Sequence, residues 1–134
     1  MIIRTRPRIA YFGTSEGVNV AAAIPSDATL RKYGMTAGDY EQRLYAQFFK
    51  CPICERSPIR AADGLMHLVV DHFHARGFKK MPAEQKKRYV RGLVCITCNR
   101  YLVNRNVTIE KAEKTIEYLS DFQRRFNAEA GVGL

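Results

Sequence analysis

Apolar positions recur at helical spacing in two long stretches of the chain. The first begins near Ala28. Tyr40, Leu44 and Phe48 follow one another at intervals of four, on one helical face, and Thr36 with Asp39 three residues later forms a capping box ahead of them. This stripe reads as core, and the helix is expected to end at the first cysteine pair. The second stretch follows Thr108, a capping residue. Ile109, Ala112, Ile116, Leu119, Phe122 and Phe126 then make a broad apolar face that is either core or a partner contact.

Between the two, the pattern shortens. Leu65 to Val70 reads as a strand on its β-branched content, after a polar loop through Asp63-Gly64, and Tyr89 to Val94 reads as a second short strand. Residues 75–88 form a basic connection containing Gly77 and Pro82, with a short helix from Pro82 to Tyr89. Another helix is expected from Thr97 to Val103. Upstream, Ile9 to Phe12 is a short apolar run that reads as a strand or ordered arm. The expected fold class is α+β, mostly helical: an arm over 1–30, a core over 31–106 and a C-terminal helix over 107–134.

Cysteine spacing adds a constraint that periodicity cannot supply. All four cysteines fall in two CxxC pairs, Cys51-Pro-Ile-Cys54 and Cys95-Ile-Thr-Cys98. Such knuckles turn two sulfurs toward one point, and two of them complete a tetrahedral shell for structural zinc. Disulfides fit an oxidising compartment, and a redox CxxC would account for one pair alone. A closed four-thiolate site leaves no open position, so this zinc is expected to be structural. It also draws the flanks of the 40 intervening residues together.

Charge changes the picture by its placement. Of the 134 residues, with a formal charge of +9, residues 76–105 hold nine lysines and arginines against one acid, Glu84. With Phe73 just ahead of it and Phe78, Tyr89 and Tyr101 interleaved, this segment has the composition of a polyanion-binding surface, most often for nucleic acid, although a solvated basic loop has the same composition. Lys79, Lys80, Lys86, Lys87, Arg88, Arg91 and Arg100 are the candidate phosphate contacts. No apolar run approaches the ~20 residues of a membrane-spanning helix. The N-terminus lacks the apolar core of a secretory signal, so a soluble protein of the cytoplasm is expected.

Against this background VVDHFH, Val69 to His74, stands out: an apolar strand runs into Asp71 and two of the chain's three histidines. If zinc joins the knuckles, Asn99, one residue past Cys98, returns toward Asp71 and His72. A carboxylate and a carboxamide oxygen are hard donors suited to Mg²⁺, and a neutral imidazole can take a proton from a water. Those parts suffice for metal-assisted phosphodiester hydrolysis. A capped strand end would account for Asp71-His72 without catalysis, and Asn99 could serve a helix end. His67 has no assigned role.

The runs YGMTAGDYEQRLYAQFFKCPICE, VVDHFH, VRGLVCITCNRYL and TIEYL occur in an order that resembles the phage recombination endonuclease VII family of His-Me finger, or HNH-type, nucleases, over roughly residues 31–120. The resemblance implies a zinc-stabilised ββα-metal core, with Cys51, Cys54, Cys95 and Cys98 on zinc, Asp71 and Asn99 on a catalytic Mg²⁺ or Mn²⁺, and His72 as general base. His74 falls where many relatives have a histidine that touches the scissile phosphate, though a solvated loop histidine would look the same. The implied activity is cleavage of branched DNA such as four-way (Holliday) junctions, by a homodimer joined through helices. A general nicking or packaging nuclease without junction preference, or a zinc DNA-binding module without activity, are the alternatives. The family's usual DHDH is DHFH here, with Phe73 in place of an acid. The loop between His74 and Arg91 is longer than in many relatives, and Arg100-Tyr101-Leu102-Val103 follows Asn99 where they often carry Ala-Leu-Gly or an acid.

Overall fold

The computed structural model describes residues 8–13, 19–57 and 67–131, and for 8–13 and 19–22 the backbone alone. The loop through Asp63-Gly64 and the expected strand start at Leu65 lie outside the described residues, as do Arg4 and Arg6. The chain divides into two compact units, residues 1–103 and 104–134. The class is mixed: helices with two small antiparallel sheets.

In the first unit, β1 (Arg8–Gly13) pairs with β2 (Asn19–Ile24), from Arg8 opposite Ile24 to Gly13 opposite Asn19. Two helices follow, each started by its own cap. Ser26 accepts from the Thr29 N–H to begin α1 (Asp27–Arg31). Thr36 and Asp39 form the expected capping box on α2 (Ala37–Ala46), the Thr36 hydroxyl accepting from the Asp39 N–H and the Asp39 carboxylate from the Thr36 N–H.

Tyr40 and Leu44 are fully buried, as their spacing implies, but Phe48 is 81% exposed. The stripe breaks because α2 stops at Ala46, and Phe48 and Phe49 both adopt left-handed backbone, φ 54° and 58°. The reversal puts Phe49 in the core in place of Phe48, and its N–H bonds back to the Leu44 carbonyl. Tyr40 also donates its hydroxyl to the Leu68 carbonyl at 2.6 Å, which ties α2 to the approach of the next strand.

That strand, β3, spans Val69–His72, so Asp71 and His72 lie within the strand instead of following it. It pairs antiparallel with β4 (Val90–Val94), and α4 (Ile96–Tyr101) lies alongside β3. Between the strands come a 3-10 turn (Phe78–Lys80) and α3 (Ala83–Arg88), inside the expected basic connection. Gln47, the C-cap of α2, covers the free edge of β4. Its amide nitrogen donates to the Leu93 carbonyl at 2.7 Å and its oxygen accepts from the Leu93 N–H at 2.8 Å, as a third strand would. The core of this unit gathers Leu30, Met35, Tyr40, Leu44, Leu68, Val70, Leu93 and Val94 with the buried cysteines Cys51 and Cys98.

The four cysteines meet. Their sulfurs all lie within 4.8 Å of one another, and those of Cys54 and Cys95 are 3.6 Å apart. Tetrahedral zinc with bonds of about 2.3 Å requires sulfurs about 3.8 Å apart, so the donor set fits that ion. Cys95 serves two purposes: it caps α4, its sulfur accepting the Cys98 N–H, and it belongs to the cluster. Burial pushes the Cys51 thiol up, but backbone N–H groups of Cys54, Cys95 and Ile53 more than offset it and bring it to about 7. The Cys98 thiol is pushed far up, first by burial and then by its sulfur neighbours. One thiolate therefore forms readily while the next is resisted, the electrostatic situation that a bound dication resolves.

The second unit is α5 (Ile109–Glu129), begun by Thr108, whose hydroxyl accepts from the Lys111 N–H. Ile109, Ile116, Leu119, Phe122 and Phe126 are 53 to 81% exposed. Among the described residues, no helix is long and apolar enough to cross a membrane.

Two outcomes test these supports. The purified protein should carry one zinc per chain by metal analysis, and stripping it, or making Cys98→Ala, should abolish the cooperative thermal transition followed by circular dichroism. Zinc binding contributes about 10–16 kcal/mol in small zinc domains, against about 5–15 kcal/mol of total stability. Gly34 has φ +69°, and a Cβ there would overlap the Ala83 carbonyl. Gly34→Ala should cost on the order of 2 kcal/mol or more in a urea titration, because it combines left-handed strain with a backbone clash.

Candidate active site

The β3–β4 ladder pairs Val69 with Val94, Val70 with Leu93 and Asp71 with Gly92, then skips, so that His72 faces Val90. Arg91 is the residue passed over. It occupies a β-bulge, an extra residue that bends the strand and redirects a side chain.

Arg91 points to Asp71. Its Nε donates to Asp71 Oδ2 and its Nη2 to Oδ1, both at 2.8 Å, a bidentate fork. Nη2 also donates to the Val103 carbonyl at 2.8 Å, just beyond the end of α4. The Asp71 side chain is 5% exposed and that of Arg91 35%. Asp71 is the buried charged residue of the described part of the unit, and its partner reaches solvent.

His72, the next residue, has different surroundings. Its ring lies 4.5 Å from that of Phe78, stacked at 28°, 5.2 Å from Tyr33 and 4.4 Å from His74. Phe78 is held from behind by an edge contact with Tyr89 and begins the 3-10 turn at Gly77, whose φ of +77° suits glycine. Burial in this box lowers the His72 pKa below the ordinary imidazole value. His74 and Arg91 push the same way, and Asp71 opposes them. The imidazole is thus kept neutral, the form that can accept a proton.

Of the remaining expected site residues, His74 has a direct contact with this pair. His74 is exposed, with its ring against His72. Phe73 is exposed and stacks at 6.1 Å on Tyr89. Asn99 is half-buried on α4, in the turn capped by Cys95, and its N–H bonds the Cys95 carbonyl at 2.9 Å. Lys79 and Lys80 follow Phe78 directly and are exposed, and Lys86 holds its ammonium 5.8 Å over the Phe78 ring. Lys87 instead bonds Asp39 at 2.6 Å, which lowers the Asp39 pKa and fastens α3 to the start of α2. Arg88 and Arg100 are exposed.

Tyr33 and the Asp71–Arg91 fork are the parts that sequence reasoning missed. Tyr33 lies 39 residues before His72 in no recognisable motif, and the fork depends on a bulge that alternation does not reveal. Phe78 carried a signal, an aromatic within the basic segment, but nothing tied it to a particular partner.

Residues 26–121 match the family model described as recombination endonuclease VII. Two phage proteins, each named Gene 59 protein, one from Mycobacterium phage D29 and one from Mycobacterium phage L5, are 34% and 35% identical to the chain over 91 residues. The alignments cover 67% of this chain and 46% of each relative, so it spans about half the length of the curated relatives it matches. No solved structure matches it. The matched segment opens at the α1 cap and takes in both cysteine pairs, Asp71, His72 and Asn99. By this match the chain belongs to the recombination endonuclease VII family.

Proposed function

We propose that this protein is a metal-dependent DNA endonuclease that cuts branched DNA such as four-way junctions. The observation that carries the reading is the juxtaposition in β3 of a buried carboxylate with an imidazole kept neutral by its ring box, with the basic turn rooted in that box through Phe78. β3, β4 and α4 supply the order expected of a ββα-metal core.

The donor set suits a catalytic Mg²⁺ or Mn²⁺. The Asp71 carboxylate already holds a cationic group through both oxygens, and Asn99 offers a hard oxygen from the helix alongside β3. When bound, the ion supplies stabilisation of charge on the leaving 3′ oxygen. His72 takes a proton from a water, whose oxygen attacks phosphorus; the bond from phosphorus to the 3′ oxygen breaks, that oxygen takes a proton from solvent, and the products carry a 5′ phosphate and a 3′ hydroxyl. His74, exposed beside His72, orients the scissile phosphate. Lys79, Lys80, Arg88 and Arg100 contact flanking phosphates, with Lys86 and Lys87 supporting the basic segment. A homodimer formed through the exposed apolar face of α5 would supply the two active sites that paired cuts across a junction require.

Cleavage of a four-way junction and of a linear duplex of matched sequence, with Mg²⁺ and with Mg²⁺ omitted, tests the reading. Wild type should cut the junction preferentially and need the metal; equal cutting of both substrates would remove the junction assignment. His72→Ala should lose at least about 100-fold in rate, while junction affinity and melting temperature change little. An active alanine variant would sink the assignment of His72.

The pH dependence follows from the depressed His72 pKa. A general base works when deprotonated, so activity should be full above its pKa and fall about tenfold per unit below it. The midpoint of the acid limb of kcat/KM should therefore lie below the ordinary imidazole value of about 6.5. A midpoint above that value would show that the ring box does not govern the base.

A further inference from the structure

We propose that Arg91 stands in for the metal at Asp71 when the site is empty of DNA, and that exchange between the two cations couples metal binding to DNA binding. The inference rests on the reading of Asp71 as a metal ligand. It goes beyond that reading by giving the arginine two alternative anions, the carboxylate and a DNA phosphate.

The geometry supports exchange over a permanent structural pair. The guanidinium satisfies both Asp71 oxygens at 2.8 Å, so a dication approaching that carboxylate meets a fixed positive charge on the same two atoms. Either the arginine leaves or the ion binds weakly. Arg91 is built to leave: it sits at the bulge, outside the regular ladder, and its side chain is 35% exposed where that of Asp71 is 5%. Its third bond, to the Val103 carbonyl, does not involve Asp71. It comes from the same Nη2 that holds Asp71 Oδ1, so the fork leaves the carboxylate either by turning about this bond or by giving it up.

A released guanidinium beside the cation would be repelled by it and attracted to a phosphate. The planar fork that fits a carboxylate fits a phosphate equally well. DNA would then favour the metal by holding Arg91 away from Asp71, and the metal would favour DNA by releasing Arg91. The two effects must be equal in size, because coupling between two binding equilibria is reciprocal.

The test uses the full zinc-loaded chain with His72→Ala, so that DNA is bound and not cut. Mn²⁺ affinity without DNA is measured by calorimetry, and affinity for a fluorescent four-way junction by anisotropy with and without Mn²⁺ at constant ionic strength. In the parent, Mn²⁺ should tighten junction binding by roughly tenfold, within the usual range for coupled sites. Arg91→Gln should bind Mn²⁺ several-fold more tightly without DNA, lose most of the Mn²⁺-dependent tightening, and bind the junction almost as the parent does when Mn²⁺ is absent. Unchanged or weaker Mn²⁺ binding by Arg91→Gln, or full retention of the coupling, would overturn the proposal. A second measurement needs no variant to fold. In the parent the Arg91 Nε–H resonance should shift when Mg²⁺ saturates the site, and a resonance that stays in place would overturn the exchange. Asp71→Asn separates the two levels: it should weaken Mn²⁺ binding sharply, and unaltered Mn²⁺ binding would instead remove Asp71 as a ligand and with it the reading underneath.

Discussion

Four sulfurs gathered within 4.8 Å impose the constraint on which the site-bearing unit depends. The first knuckle follows the left-handed turn that ends α2, and the second begins α4, so joining them sets α2, β4 and α4 relative to one another. Cys95 is at once cluster member and helix cap, which makes the first turn of α4 an extension of the cluster. Asn99 lies in that turn. The two-stranded sheet of β3 and β4 is too small to be stable alone in water. It becomes ordered because β4 runs directly into the second knuckle, Gln47 covers its outer edge and Tyr40 holds its approach.

A sheet fixed in this way can carry an irregularity that uses its polar groups. The bulge at Arg91 interrupts the ladder next to Asp71, and the arginine supplies the partner that a buried carboxylate requires. On the other side of the strand end, His72 is packed among rings and not against a carboxylate. The basic segment is attached at the same place, since Phe78 belongs to the ring box and Lys79 and Lys80 come next in the chain. Lys87 and the close approach of Ala83 to Gly34 hold the rest of that segment against the turn between α1 and α2.

Much of this was legible from local chemistry. The caps at Thr36 and Thr108, the paired cysteines and the final helix each rest on a pattern a few residues long, and each is found as read. Features that failed to show in the sequence depend on where the backbone turns. Phe48 continued the stripe of Tyr40 and Leu44, but two left-handed residues exchanged it for Phe49. The strand expected to stop at Val70 continues to His72, because β4 offers pairing partners that a one-dimensional reading cannot count. Tyr33 and Phe78 reach His72 from segments 39 residues before it and 6 after it, and only the folded chain brings them together. Asp71, His72 and Asn99 were singled out by their residue types, while the fork between Asp71 and Arg91 is visible in geometry alone.

Asp71 and His72 are neighbours in sequence with opposite surroundings. Successive strand residues face opposite ways, so one strand end can present two environments without a long loop. Asp71 meets a guanidinium in a buried place; His72 meets Phe78 and Tyr33, and burial among these rings lowers its pKa. Arg91 acts on both, as ion-pair partner of the first and as one of the charges that disfavour protonation of the second. Any cation replacing Arg91 at Asp71 inherits both relations. A dication held there would disfavour the imidazolium more strongly than the guanidinium does.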